Sequence, residues 1–302
     1  MPTPAPPEAL DRLYADMVAF TRATQDALCR ELERVDGAAR FREDAWARPG
    51  GGGGISRVLQ DGAVFEKAGV SFSDVHGALS PDFARRVGGE GVAFAATGLS
   101  VVIHPQSPMV PTAHMNVRMI RRGEAGWFGG GADLTPYYLF DEDCVHFHRV
   151  MREACERHAA GSHARLKRAA DAYFHLRHRG EHRGVGGIFF EDTGGPLERD
   201  LAFAKDVASD FLAAYVPIVE RRRAEPYGEE ERRWQEIRRG RYVEFNLVLD
   251  RGTVFGLETG GRTESILMSL PPRVRWVYGH EPAPGSREAA LLEVLRTPRD
   301  WV

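Results

Sequence analysis

A chain of 302 residues, 43% hydrophobic and 27% charged, has enough apolar content to bury one large core or two smaller ones. Its formal net charge of -3 argues against a general nucleic-acid role, which needs a clearly basic surface, and no apolar run approaches the roughly 18 to 20 residues of a membrane span. Cys29, Cys144 and Cys155 form no CxxC pair, so neither a disulfide framework nor a zinc or iron–sulfur cluster is indicated.

The Pro-rich start (Pro2, Pro4, Pro6, Pro7) lacks a signal peptide's apolar stretch, which points to a cytoplasmic protein with about seven disordered residues at its head. From Glu8 to about Val35, Leu10, Leu13, Met17, Phe20, Leu28 and Leu32 recur at helical spacing and predict one long surface helix. Five consecutive glycines, Gly50 to Gly54, are not followed by the GK[ST] of a phosphate loop and read as a flexible connection into a strand or hairpin over Ile55 to Phe65. β patterns follow at Val92 to Ala96, Leu99 to Ile103 and His114 to Ile120, with turns at Gly98 and through Pro105, Pro108 and Pro111.

Beyond the Gly-rich stretch Gly126 to Gly131, helices are predicted at Asp141 to Ala160, Ser162 to Arg179 and Leu197 to Val219, with Ser162 as an N-cap and Gly180 as a stop. The basic run Arg221, Arg222, Arg223 reads as a solvated helix end. Gly186 to Phe190 reads as a short buried strand. In Arg241 to Leu257, alternation of Val243, Phe245, Leu247 and Leu249 against Tyr242, Glu244, Asn246 and Asp250 predicts a β-hairpin turning at Asp250, Arg251 and Gly252. Strands joined by short turns and interrupted by blocks of helix predict a single α+β domain, a large, mainly antiparallel sheet flanked by helices.

Alternation puts His114, Asn116 and Arg118 on one strand face, and Ser100 and His104 share a face of the preceding strand. Paired strands would bring a proton carrier, an amide and a fixed cation over one side of the sheet; a solvated face is the alternative. His146 and His148 diverge on a helix, whereas His175 and His178 share a face. A divalent-metal site from His104, His114, His148 and His178 is chemically possible, although no HExxH-type signature is present. The turn Thr259, Gly260, Gly261, Arg262 offers backbone N–H groups and a guanidinium to an anion, or is simply a tight turn with an exposed arginine. All but three of the 40 basic residues are arginine, the exceptions being Lys67, Lys167 and Lys205, so no single arginine stands out.

The blocks SVVIHP, HMNVR, WFGGGADLTPYY, HFHRV, YFHLRHRGEHRGVGGIFFED and GRYVEFNLVLDRGTVFGLETGGRTESILMSLPP, in this order, resemble those of the oxygen-dependent coproporphyrinogen III oxidase family from about Asp44 to the last residues. The resemblance implies conversion of two propionates of coproporphyrinogen III to vinyl groups, giving protoporphyrinogen IX, with molecular oxygen as co-substrate and no organic cofactor. It makes Ser100, Asn116, Val117, Arg118, Gly260, Gly261 and Arg262 substrate contacts, His114 the proton donor, and Asp250 with Arg251 an acidic and basic catalytic pair. It also assigns His104, His114, His148 and His178 to a divalent cation, and the stretch from Tyr242 to about Trp276 to a homodimer interface. Two departures stand out: Ala170 replaces a common cysteine, and Arg177 a common lysine. A metal-dependent hydrolase or oxygenase and a non-catalytic tetrapyrrole carrier are the competing readings; a radical enzyme lacks its clustered cysteines.

Overall fold

A computed structural model describes residues 3–79, 84–85, 89–258 and 261–302. The predicted long helix is α1, Pro7–Asp36, with Pro7 at its first turn. It ends because Gly37 turns left-handed at φ 78° and donates its N–H to Glu33 O. Leu10, Leu13, Met17, Leu28 and Leu32 recur on the side it buries.

The sheet is antiparallel throughout. Strands β2 (Arg42–Ala47), β3 (Gly52–Gln60), β4 (Phe65–Ala78), β5 (Ala93–Pro105), β6 (Thr112–Arg122) and β7 (Ala125–Thr135) lie side by side in chain order. Both β10 (Gly186–Glu191) and the two residues of β1 (Thr3–Pro4) pair with β7. A small hairpin, β8 (His175–Leu176) with β9 (Glu181–His182), stands apart. The α+β class with a large antiparallel sheet is therefore as the sequence indicated. Among the described residues no helix is long and apolar enough to cross a membrane.

Register decides what each sheet face carries. Phe72, Leu99 and Val117 stand in one cross-strand row, and Val70, Val101 and Met115 in the next. All six are buried, facing a core closed by α1 and by α4 (Leu197–Arg222). On the opposite face the rows read Gly69, Val102, His114, Asp133, then Ser71, Ser100, Asn116, Gly131, then Ser73, Gly98, Arg118, Gly129. A floor of mostly small residues is thus left from which His114, Asn116, Arg118 and Asp133 rise.

Over this floor lie α5 (Glu229–Val248), α6 (Arg251–Glu258) and α7 (Thr263–Leu267). The roof is tied down at several points: Arg239 donates to Pro105 O at 2.8 Å and to Glu66 at 2.6 Å, and Lys67 donates to Leu270 O at 2.8 Å. The remaining helices are α2 (Asp141–Glu156), α3 (Ser162–Tyr173) and α8 (Arg287–Arg296).

Several expectations are overturned. Arg241 to Leu257 is not a β-hairpin but the end of α5 and all of α6. The helix starts upstream, where Glu231 accepts from the Gly228 N–H at 2.8 Å, and runs through Glu- and Arg-rich sequence of high helix propensity. Trp234, Ile237, Tyr242 and Phe245 are its buried apolar contacts, while Leu247, which strand alternation would bury, is 42% exposed. Gly98, expected at a turn, lies inside β5, and the Gly-rich stretch Gly126 to Gly131, for which the sequence pattern predicts no element, lies inside β7. Gly52 to Gly54 begin β3. Helix α3 stops at Tyr173, with Gly161 at its N-cap position in place of Ser162, so His175 and His178 share no helical face. Arg222 is not solvated: it is buried, its Nε donates to Asp143 at 2.7 Å, and it also pairs with Glu142.

Candidate active site

Floor and roof enclose a cavity of about 730 Å³, within the ordinary range for a small-molecule site. Ser100, His114, Asn116 and Arg118 line it from the sheet; Tyr173, Asn246, Asp250 and Arg251 line it from the helices. Small residues make the room. A Cβ on Gly129 would lie 3.0 Å from Arg118 Nη2, and one on Gly98 would lie 3.0 Å from Arg118 Cβ.

A directional hydrogen-bond chain runs along the floor. Asp133, directly across from His114 on β7, is 2% exposed, and its Oδ1 is 2.7 Å from His114 Nδ1. Burial works to raise the Asp133 carboxyl, but the Arg183 guanidinium and the His114 bond hold it below its usual value. An ionised carboxylate only accepts, so His114 carries its proton on Nδ1 and turns Nε2 towards Asn116 Nδ2, 3.3 Å away. Asn116 Oδ1 accepts from Arg118 Nη1 at 3.1 Å, and Arg118 also pairs with Glu191.

Arg183 joins floor to roof. It is 3% exposed, donates to Asp133 Oδ2 at 2.7 Å and to Asn246 Oδ1 at 2.8 Å, and lies 4.3 to 4.7 Å from the rings of Phe174, Tyr242 and Phe245. Stacking on aromatic faces offsets part of the cost of burying the cation.

Asp250 sits at the junction of α5 and α6. Its Oδ2 accepts the Thr253 N–H at 2.7 Å, capping α6, and its Oδ1 accepts the Tyr173 hydroxyl at 2.7 Å. The same hydroxyl accepts the Arg251 N–H at 3.2 Å. Tyr173 stacks on Phe189 with ring centroids 4.3 Å apart, and the Arg251 guanidinium lies 4.9 Å from the Tyr173 ring. Burial and the Asp250 carboxylate push the Tyr173 phenol well above its usual range, so it stays a donor.

The site therefore brings together Ser100, His114, Asn116, Arg118, Asp250 and Arg251. The Val117 side chain is buried under the floor, so only its backbone can face the cavity. Gly261 donates its N–H to Gly256 O at 2.7 Å and Arg262 pairs with Asp44 of β2; neither lines the cavity. Gly260 lies outside the described residues.

The four histidines expected to share a cation are not assembled. His104 is buried between Thr112 Oγ (3.2 Å) and Ser269 O (2.9 Å), and burial and Arg239 push it well below its usual value. His148 bonds Val185 O at 3.2 Å and is pushed by burial down to about 3. His178 bonds Glu244 at 2.8 Å, and His114 is committed to Asp133. Among the described residues no group of three or more His, Cys, Asp or Glu is disposed to hold a metal, so these residues do not fit the cation.

Sequence reasoning missed Asp133, Arg183, Tyr173 and Asn246 as site residues. Asp133 was detectable only through the β6–β7 register, and Arg183 was hidden among many arginines.

The fold and the site define a class: an α+β protein whose sheet and helices flank a largely apolar cavity with a histidine backed by Asp133 on one wall and an Asp–Arg pair on the other. Residues 16–301 match the family model described as Coproporphyrinogen III oxidase, and the chain belongs to that family. The family consists of oxidoreductases of haem and porphyrin biosynthesis.

Proposed function

We propose that this chain catalyses the oxygen-dependent decarboxylation of two propionates of coproporphyrinogen III, giving protoporphyrinogen IX. The observation that carries the reading is the convergence on one cavity of Asp250, Arg251 and His114, the last held from behind by Asp133, in a chain matching that family over nearly its whole length. For each side chain the balance is R–CH2–CH2–COOH + O2 giving R–CH=CH2, CO2 and H2O2. Two electrons leave the side chain as its Cβ–H and Cα–carboxyl bonds break, the electron-rich ring relays them to oxygen and ends at its starting oxidation level, and the balance calls for no organic cofactor.

The residues divide this work. Asp250, with its two oxygens steered by Tyr173 and Thr253, accepts hydrogen bonds from pyrrole N–H groups and stabilises positive charge developing on the ring. Arg251 and Arg118, both on the cavity wall, offer charge-assisted bonds to propionates. His114, with its tautomer fixed by Asp133, presents Nε2 as the proton-handling atom. We place the protein in the cytoplasm as a homodimer through about residues 242–276. Support for the interface comes from Val248, Leu257 and Trp276, large apolar residues left 64%, 40% and 54% exposed in one chain.

Aerobic incubation with coproporphyrinogen III, followed by chromatography of the oxidised porphyrins, is the test. Protoporphyrin should appear under air and not under argon. Unchanged substrate with folded protein overturns the reading, and bound but unconverted substrate identifies a carrier.

A further inference from the structure

A second cavity, of about 230 Å³, opens on the other side of α5. Trp234, Ile237, Arg238 and Arg241 face it at helical spacing, whereas Tyr242 and Asn246 of the same helix line the larger cavity. Its walls carry more cations than anions. Arg179, Arg238, Arg241 and Arg296 line it together with Glu181 and Glu281, with His178 and His280 beside them.

The carboxylates within reach do not balance these groups. Arg179 and Arg241 share Glu244, each donating to Oε1 at 2.7 and 3.0 Å. Arg238 donates Nη1 to Glu181 at 2.7 Å, and Arg296 has a distant, exposed pair with Glu281 at 3.4 Å. Four guanidinium groups thus meet three carboxylates. Arg238 is 4% exposed, yet its Nη2 is buried with no hydrogen-bond partner among the described residues. Guanidinium groups gathered with too few carboxylates repel one another, and an added negative charge in the cavity offsets that deficit. Arg241 lies between both carboxylates, with its Nε 3.7 Å from Glu181, yet burial and its neighbours Arg179 and Arg238 pull it below its ordinary value against Glu244 and Glu181.

We propose that this cavity is a binding site for a small oxyanion, a carboxylate or a phosphate, held between Arg238 and Arg241 with Arg296 at its mouth. Planar guanidinium forks match paired oxygens on one small group, and the cavity has room for one compact anion and its waters. The site is separate from the candidate active site and does not depend on the reaction assigned to it.

Isothermal titration of the full chain with sodium phosphate and, separately, sodium succinate, against sodium chloride at matched ionic strength, tests this and distinguishes the two sources of oxyanion. Saturable binding of at least one is expected. It should weaken at least about fivefold in Arg296→Gln or Arg238→Leu, and stay unchanged in Arg118→Ala, which removes a cation from the larger cavity. Arg296 is half exposed, so its variant stays folded even where loss of the Arg238–Glu181 pair is not tolerated. Absence of saturable binding, or binding that only Arg118→Ala abolishes, overturns the proposal; so does binding that no variant weakens.

Discussion

Replacing Asp250 by Asn removes a charge while keeping size and shape. The cap on α6 should survive, because Asn serves at an N-cap as well as Asp and one amide oxygen suffices for the Thr253 N–H. The other end of the amide then presents NH2 where Oδ1 accepted the Tyr173 hydroxyl. That hydroxyl can turn and accept, so the loss is at most one charge-assisted bond, about 1.5–3 kcal/mol. For a chain of this size that corresponds to a fall in Tm of about 2–5 °C. Turnover should suffer far more: losing the group aimed at developing charge costs about a hundred- to a thousandfold in rate. Thermal unfolding and single-turnover rates under air, measured on the same preparation, separate the two effects. A variant that loses stability as stated but turns over within about threefold of the parent refutes a chemical role and leaves Asp250 a helix cap.

Arg118→Ala and Arg251→Ala should each weaken productive binding about ten- to a hundredfold, the equivalent of one charge-assisted bond, and unchanged steady-state kinetics exclude contact with the substrate. Asp36 accepts N–H bonds from Ala39, Ala63, Val64 and Phe65; burial opposes its ionisation, but these four bonds hold its carboxyl below the usual range. Its contribution to stability is therefore complete above the unfolded carboxylate value and lost as pH falls through the folded one, so urea unfolding of Asp36→Asn should show a shallower loss of stability on acidification than the parent. If the Tyr242 to Trp276 region forms the subunit interface, sedimentation at micromolar concentration should give a dimer mass and Trp276→Ser should shift it towards the monomer; a monomeric parent chain rules this out.

Where sequence periods were long, they were legible. Thirty residues of helical spacing located α1 to within a residue at each end, and alternation over His114 to Ile120 assigned the faces of β6 correctly. Short patterns misled. Four alternating apolar residues from Val243 to Leu249 lie on a helix because the propensity and capping of the preceding turns had already committed the backbone. The glycines of β7 carried no strand signal because Gly disfavours strands in isolation, yet here they let Arg118 and β10 approach closely. Cross-strand partners are a property of register, so the Asp133 carboxylate beside His114 carried no local signal, and neither did the Tyr173 hydroxyl that reaches Asp250 from 77 residues away.

Arg183 carries a consequence for how the molecule folds. A guanidinium closed in by three aromatic rings needs both acceptors at once, Asp133 from the sheet and Asn246 from the helix above it. With only one in place, the charge would be buried half-satisfied, a state several kcal/mol above either alternative. Sheet and helical cover are therefore coupled near this residue, and partial opening that leaves the guanidinium buried carries that penalty. Amide exchange in β7 and in the second half of α5 should accordingly share one opening free energy, although more than 100 residues of chain separate Asp133 from Asn246.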